Sequence, residues 1–252
     1  ALKRMLDFMD DPQYVTTTVD LPKSQTPAKR GEKIKKLTLH ELYIARPGQN
    51  GLYLVSGLNM HLASGDKLAI IGPSGAGKST LLECIAGLRP ADGGIILLET
   101  DECVRRENPA LAESLKVAYL TQEPFCFPGT IAENICYPEQ FTPANASQIE
   151  QIEIALQLAC LKNKSIYDSV LALSGGEKQR LAFARGFFAK PALWLIDEGT
   201  SALDLTTESQ VLAHLDLHAA DAVKIFVAHR SGMQSFATHT IVVGQDERGS
   251  TL

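Results

Sequence analysis

The stretch DKLAIIGPSGAGKSTLLECIAGL, residues 66–88, decides the fold. A continuous apolar run ends at Gly72 and predicts a parallel strand buried on both faces. KSTLLECIAGL, from Lys78, has the spacing of a helix. Between them GPSGAGKST, Gly72 to Thr80, matches G-x-x-x-x-G-K-[ST] with the strand before and the helix after that this motif demands. Gly72, Gly75 and Gly77 let the backbone wrap closely, so the N–H groups of a loop that also holds Pro73, Ser74 and Ala76 point inward at phosphate oxygens. Lys78 reaches the β- and γ-phosphates of a nucleotide, and Ser79, followed by Thr80, supplies a hydroxyl for Mg²⁺.

Outward from this loop, VAYLTQ (117–122), ALWLID (192–197) and VKIFVAH (223–229) read as further buried strands. Upstream, KLTLHELYI (36–44) alternates like a half-buried strand, and LYLVSGLNMHLASG (52–65) reads as another strand pair ending in a glycine turn. SQIEQIEIALQLACL (147–161) is helical and opens on a Ser147…Glu150 capping box. Strands alternating with helices predict an α/β fold: a phosphate-loop NTPase core with a parallel sheet, an N-terminal antiparallel β subdomain, and an inserted helical lobe over about 125–188. ALKRMLDFMDD (1–11) has helical spacing up to Pro12, and residues 13–33 have the composition of a linker. The chain starts at Ala1 without methionine, so the expectation is that this helix is the tail of a longer one.

The 252 residues suffice for a full core, and 45% hydrophobic with 21% charged residues is ordinary for a globular chain. A formal charge of −5 weighs against general attraction to nucleic acid or anionic lipid. Cys84, Cys103, Cys126, Cys136 and Cys160 stand singly, a pattern of reduced thiols rather than a disulfide frame or zinc site. Apolar runs such as LAII and ALWLI are strand-sized and fall short of a membrane span.

WLIDEGTSALD (194–204) carries the second part of the chemistry. Asp197 ends a buried strand, where such folds hold Mg²⁺ through water, and Glu198 stands where a carboxylate orients and deprotonates an attacking water. Gln122 and His229 close their own strands. Taken alone His229 is a surface or core histidine; its shared location at the carboxyl edge of a parallel sheet, where ligands collect, makes it a site residue. VLALSGGEKQRLAFARGFF (170–188) offers two local readings: Ser174, Gly175 and Gly176 begin a helix whose free N–H groups attract phosphate, or Ser174 and Glu177 form a simple capping box.

GPSGAGKST, the Gln122 loop, LSGGEKQR, LIDEGTSALD and the loop at His229 occur in the order and spacing of ATP-binding-cassette proteins, and the resemblance covers roughly residues 34–245. LSGGEKQR is its most specific part. The resemblance implies that ATP and Mg²⁺ are bound, that Gln122 senses metal and water, and that His229 contacts the γ-phosphate. It further implies that Ser174, Gly175, Gly176 and Glu177 cap a nucleotide held by a second nucleotide-binding domain, with Asp204 linking the two sites. EPFCFPGTIAENICYP (123–138) resembles the exporter pattern in which this segment meets a transmembrane domain, here one of the same polypeptide ending in residues 1–33. Glu177, and the absence of an acidic-valine-glycine loop before the signature, resemble the fatty-acyl (D) subfamily and its bacterial peptide- and cobalamin-transporting relatives. Arg46 stands where an adenine-stacking tyrosine is expected, with Tyr43 three residues earlier; Gly199 stands where Pro or Ala is usual and is expected to loosen the backbone beside Glu198. The implied location is the cytoplasmic face of a membrane. The rivals are a soluble cassette ATPase acting on nucleic acid or ribosomes, which the acidic balance disfavours, and a regulator without turnover, which would lack Glu198 and His229.

Overall fold

Two separate sheets organise the chain in the computed structural model, which describes residues 33–46, 48, 51–100, 104–106, 117–228 and 231–244. Strands β1 (Ile34–Ala45), β2 (Tyr53–Ala63), β4 (Gly93–Thr100) and β5 (Val104–Arg106) form an antiparallel sheet in the order β2-β1-β4-β5. Strands β3 (Lys67–Ile71), β6 (Val117–Leu120), β7 (Leu193–Asp197), β8 (Val223–Val227) and β9 (His239–Val242) form a parallel sheet in the order β6-β7-β8-β3-β9. The helices are α1 (Lys78–Ile85), α2 (Ile131–Cys136), α3 (Ala146–Leu158), α4 (Gly175–Ala189), α5 (Leu205–His218) and α6 (Ser231–Phe236), with a 3₁₀ turn at Val170–Ala172. No described helix is long and apolar enough to cross a membrane. The expected N-terminal helix and all but the last residue of the expected linker lie outside the described residues, as does His229.

Residues 52–65 do not make a strand pair; they hold the single strand β2, paired with β1 from Lys36↔Ala63 to Ala45↔Tyr53. The pairing tolerates Gly57 because β1 is irregular opposite it, with Glu41 at φ 47° and register shifts on either side of Leu42. Asn59 pins this bulge, accepting from the Glu41 N–H at 3.0 Å and donating to the Glu41 carboxylate at 2.6 Å. The cap of α3 also differs from expectation: Asn145 is the N-cap, its side chain accepting from the Gln148 N–H at 3.1 Å, while Ser147 lies inside the helix and accepts from Gln151. Strands β4 and β9 were not anticipated from the sequence pattern.

The parallel sheet divides the core. Along β7, Leu193 and Leu195 join one apolar cluster with Leu68, Ile70, Val223, Ile225, Val227 and the α1 residues Leu81 and Leu82. Trp194 and Ile196 join another with Ala69, Phe226 and the α4 residues Leu181, Phe183, Ala184 and Phe187. The period-two alternation of the strands therefore puts α1 and α4 on opposite faces of the sheet.

Lys224 alternates with Phe226 in β8 and is 0% exposed. Its Nζ donates to the Ala222 carbonyl at 3.0 Å and lies 3.5 Å from that of Ala220, in the turn that ends α5. Burial pushes its pKa down from 10.5 to about 8, against the opposing pull of Asp216. Between about pH 8 and 10.5 the unfolded chain thus holds more protons than the folded one, so stability rises with pH across that window. Urea denaturation of the native chain should show this rise, and Lys224→Met should flatten it.

Candidate functional site

The loop after β3 closes around its own lysine. Lys78 is 6% exposed, and its Nζ donates to the carbonyls of Gly72 at 2.9 Å and Pro73 at 2.8 Å. The first turn of α1 carries no acidic residue, which leaves its free N–H groups suited to an anion. Gly77 has φ 101°, and a Cβ there would stand 2.8 Å from Cβ of Leu54. Leu54, from the start of β2, therefore forms an apolar wall against the loop. Sequence reasoning missed it, although its only signal was its place in an apolar run. The Arg46 N–H donates to the Leu52 carbonyl at 2.9 Å, closing the β1–β2 hairpin beside Leu54. Tyr43 is committed elsewhere: its ring packs on Gly93 and Gly57, meets Tyr53 edge-on at 5.4 Å, and its hydroxyl donates to Glu41 at 3.2 Å.

The parallel register brings the ends of β3, β6 and β7 to the same edge, since Leu120 lies opposite Ile196, and Val227 opposite both Asp197 and Ile70. That edge therefore receives the Lys78 loop, Gln122, Asp197 and Glu198. Tyr119 stands near it; burial, with the Asp197 and Glu83 carboxylates, pushes its phenol up and keeps it a neutral donor at neutral pH. Glu198 has φ 53°, the left-handed region, in a turn closed by the Ser201 N–H donating to its carbonyl at 3.0 Å. Ser79, Gln122 and Asp197 offer only oxygen donors suited to a hard cation. Among the described residues no group of three or more His, Cys, Asp or Glu forms a metal cage.

Ser174 is the N-cap of α4 in a complete capping box: its Oγ accepts from the Glu177 N–H at 3.3 Å, and Glu177 accepts from the Ser174 N–H at 2.9 Å. Lys164 pairs with the same carboxylate at 3.0 Å. These contacts, with the Ser174 N–H foremost, hold the Glu177 pKa at about 2, so it is an anion at any working pH. A Cβ on Gly176 would stand 2.9 Å from the Ala202 carbonyl, whereas one on Gly175 would meet nothing within 4 Å. One side of the helix start is thus packed against the loop after β7, and the other is open.

Gln179, 2% exposed and not singled out in the sequence, joins these parts. Its Nε2 donates to the Gln122 carbonyl at 3.1 Å and to Ser201 Oγ at 3.0 Å, and its Oε1 accepts from the Ala202 N–H at 2.9 Å. Asp204 is the N-cap of α5, accepting from the Thr207 N–H at 3.0 Å and hydroxyl at 2.7 Å, which keeps its carboxyl below the usual range.

The chain is similar to known proteins over most of its length. The family model described as "ABC transporter" matches residues 55–201, more than half of the chain. ABC transporter B family member 29, chloroplastic, of Arabidopsis thaliana is 34% identical over 211 residues, 80% of this chain and 32% of the relative. ATP-binding cassette sub-family B member 10, mitochondrial, of Mus musculus is 33% identical over 200 residues, 76% of this chain and 27% of the relative. The solved structure of a bacterial Atm1-family ABC exporter with ATP bound superposes with a TM-score of 0.73 at 25% identity, covering 100% of this chain and 44% of that one. The chain thus spans less than half the length of each protein it matches here.

Gln179→Leu keeps the volume but leaves the Gln122 carbonyl and the Ala202 N–H unpartnered, and should cost about 1–3 kcal/mol of stability. Gln179→Glu should cost more at neutral pH than at pH 4, because a carboxylate accepts from Ala202 but has no proton for Gln122. Urea unfolding at the two pH values checks both.

Proposed function

The chain belongs to the ABC transporter family, and we propose on that premise that it binds and hydrolyses ATP at an interface between two nucleotide-binding domains, driving transport by a membrane part. The observation that carries this reading is the placement of α1 and α4 on opposite faces of one sheet. Two helix starts suited to phosphate, carried on opposite faces of one sheet, are both put to use if a second domain brings its own nucleotide to one of them. The partner is a second copy or a related chain.

In this reading the Lys78 loop and the N–H groups of α1 hold the β- and γ-phosphates of ATP. Mg²⁺, held by Ser79 with Asp197 and Gln122 around it, would neutralise charge on the phosphate oxygens. Glu198 accepts a proton from the attacking water, which Gln122 helps to orient. His229 is proposed for the γ-phosphate from its sequence position. Ser174 Oγ with the Gly175 and Gly176 N–H groups binds the partner's γ-phosphate, and Asp204, by capping α5, fixes the loop that runs between the two sites. Arg46, in the hairpin beside Leu54, is the better placed base contact, since a guanidinium stacks on a base and Tyr43 is occupied by Glu41 and the glycines beneath it.

The proteins it resembles are named as exporters or B-family transporters, which supports association with a membrane part; the proposal adds fusion to a transmembrane domain preceding residue 34, placement at the cytoplasmic face of a membrane, and contact of residues 123–138 with that domain. Phe125 and Tyr137 in this segment are 78% and 71% exposed, apolar surface that such a contact would cover. Glu177 and the segment before the signature favour kinship with the fatty-acyl subfamily; the B-family names of the relatives favour the broader exporter group. A soluble role on nucleic acid has no support in these names or in the net charge of −5.

Glu198→Gln should retain ATP binding and lower turnover by about 10²–10⁴-fold, the usual contribution of a general base. Full turnover in that variant would remove Glu198 from the chemistry. The between-chains arrangement has its own test. Lys78→Ala and Ser174→Arg, each inactive alone, should recover hydrolysis when mixed, because the mixed dimer keeps one intact site. If crosslinks between cysteines placed at Ser79 and Gly175 form only within one chain, the arrangement is wrong.

A further inference from the structure

The start of α4 carries a charge that should harm its proposed task. Glu177 is ionised and lies in the first turn of the helix whose N–H groups face the partner's phosphate. Both its oxygens are used: Oε2 accepts from the Ser174 N–H at 2.9 Å, and Oε1 meets Lys164 Nζ at 3.0 Å. The pair is sheltered, with 24% exposure on Lys164 and 15% on Glu177, so solvent screens it poorly. Lys164 comes from the connection between α3 and the Val170–Ala172 turn and meets α4 through this contact.

We propose that Lys164 is a positioning residue for ATP hydrolysis: by neutralising Glu177 it keeps the start of α4 receptive to the phosphate held by the partner domain. The capping box needs an acceptor at position 177 to hold Ser174, and Glu supplies one at the expense of a negative charge beside a polyanion. Lys164 removes that cost without disturbing the cap, because it binds the oxygen the cap leaves over. Lys162, exposed, and Lys178, half-buried, form no salt bridge with Glu177 among the described residues.

This inference rests on the between-chains reading above, and the test separates the two. The full protein is assayed for hydrolysis over a range of ATP concentrations, as the native sequence and as Lys164→Met, Lys164→Arg and the double variant Lys164→Met with Glu177→Gln. Lys164→Met should raise KM for ATP by about tenfold, the scale of an uncompensated charge at a helix start, with a smaller change in kcat. The defect should shrink as salt is raised. Lys164→Arg should stay near native, and the double variant should regain a near-native KM, because a glutamine keeps the cap and carries no charge. An unchanged KM in Lys164→Met overturns the proposal. So does a double variant as defective as the single one, which would make Lys164 a packing residue. A native protein that hydrolyses no ATP, or whose inactive variants fail to complement and crosslink only within a chain, would instead sink the underlying reading.

Discussion

The strict alternation of side chains along β7 is the constraint from which the rest of the site follows. Leu193 and Leu195 face α1, Trp194 and Ile196 face α4, and all four are 0% exposed. A slip of one residue would exchange the two clusters and drive an indole into the space of a leucine. Trp194 makes that exchange especially costly: it packs on Phe183 and Phe187, and its ring lies so close to Gly186 that a Cβ there would fall 2.3 Å from it. The strand is thus locked in register by packing, and the last residue on it, Asp197, is delivered to the sheet edge as a consequence. The same lock keeps α1 and α4 on opposite faces of the sheet, the arrangement on which the proposed use of a partner rests.

Separation alone would leave the two halves of the site ignorant of each other. Polar contacts through α4 restore the connection. Gln179 spends both amide protons and its oxygen on the Gln122 loop and on Ser201 and Ala202. Two turns further along the helix, Arg185 donates to the Asn134 carbonyl at 2.9 Å, the Asn134 amide oxygen at 2.6 Å and the Phe125 carbonyl at 2.5 Å. One helix therefore fixes the Gln122 loop, the loop that leads to Asp204, and the segment proposed to meet the membrane part. Buried networks of this kind have two stable arrangements more readily than a continuum of them, because each broken bond leaves an unpaired group. A displacement of α4 by an arriving partner would thus be carried to Gln122 and to residues 123–138 together.

Much of this was legible in the sequence, and what was missed was missed for physical reasons. The four strands read as continuous apolar runs were all present; β3, β7 and β8 are largely buried, and the terminal strand β6 is mostly half-buried. Strand β9 was not read: its residues are mostly exposed, so HTIV carries little apolar signal. Residues 52–65 were expected as a strand pair but form one strand, in which Gly57 lies opposite the bulge at Glu41. The motif residues of the site could be found because phosphate binding demands glycine, lysine and hydroxyl at fixed spacing. Gln179, Lys164 and Leu54 could not. Their partners are 57, 13 and 23 residues away in the chain, and no local pattern announces a contact at that range.

Gly199 shows how far the immediate neighbours of a catalytic candidate are decided by packing. Its sequence suggests a loosened backbone beside Glu198, but the structure gives it another reason. A Cβ at residue 199 would stand 3.0 Å from Ile196 and 3.3 Å from Leu120, so the glycine is what lets the turn lie flat against the ends of β6 and β7. Glu198 sits just before it in the left-handed region, a conformation that costs a non-glycine residue about 1 kcal/mol. The cost is offset within the following five residues. Thr200, 3% exposed, donates to Glu208 at 2.6 Å, and Ser201 and Ala202 are held by Gln179. The turn is over-determined from both sides, so the proposed base is presented by a rigid frame. The left-handed turn also sends Glu198 off the strand direction followed by Asp197, so the two consecutive carboxylates can take the two different tasks proposed for them.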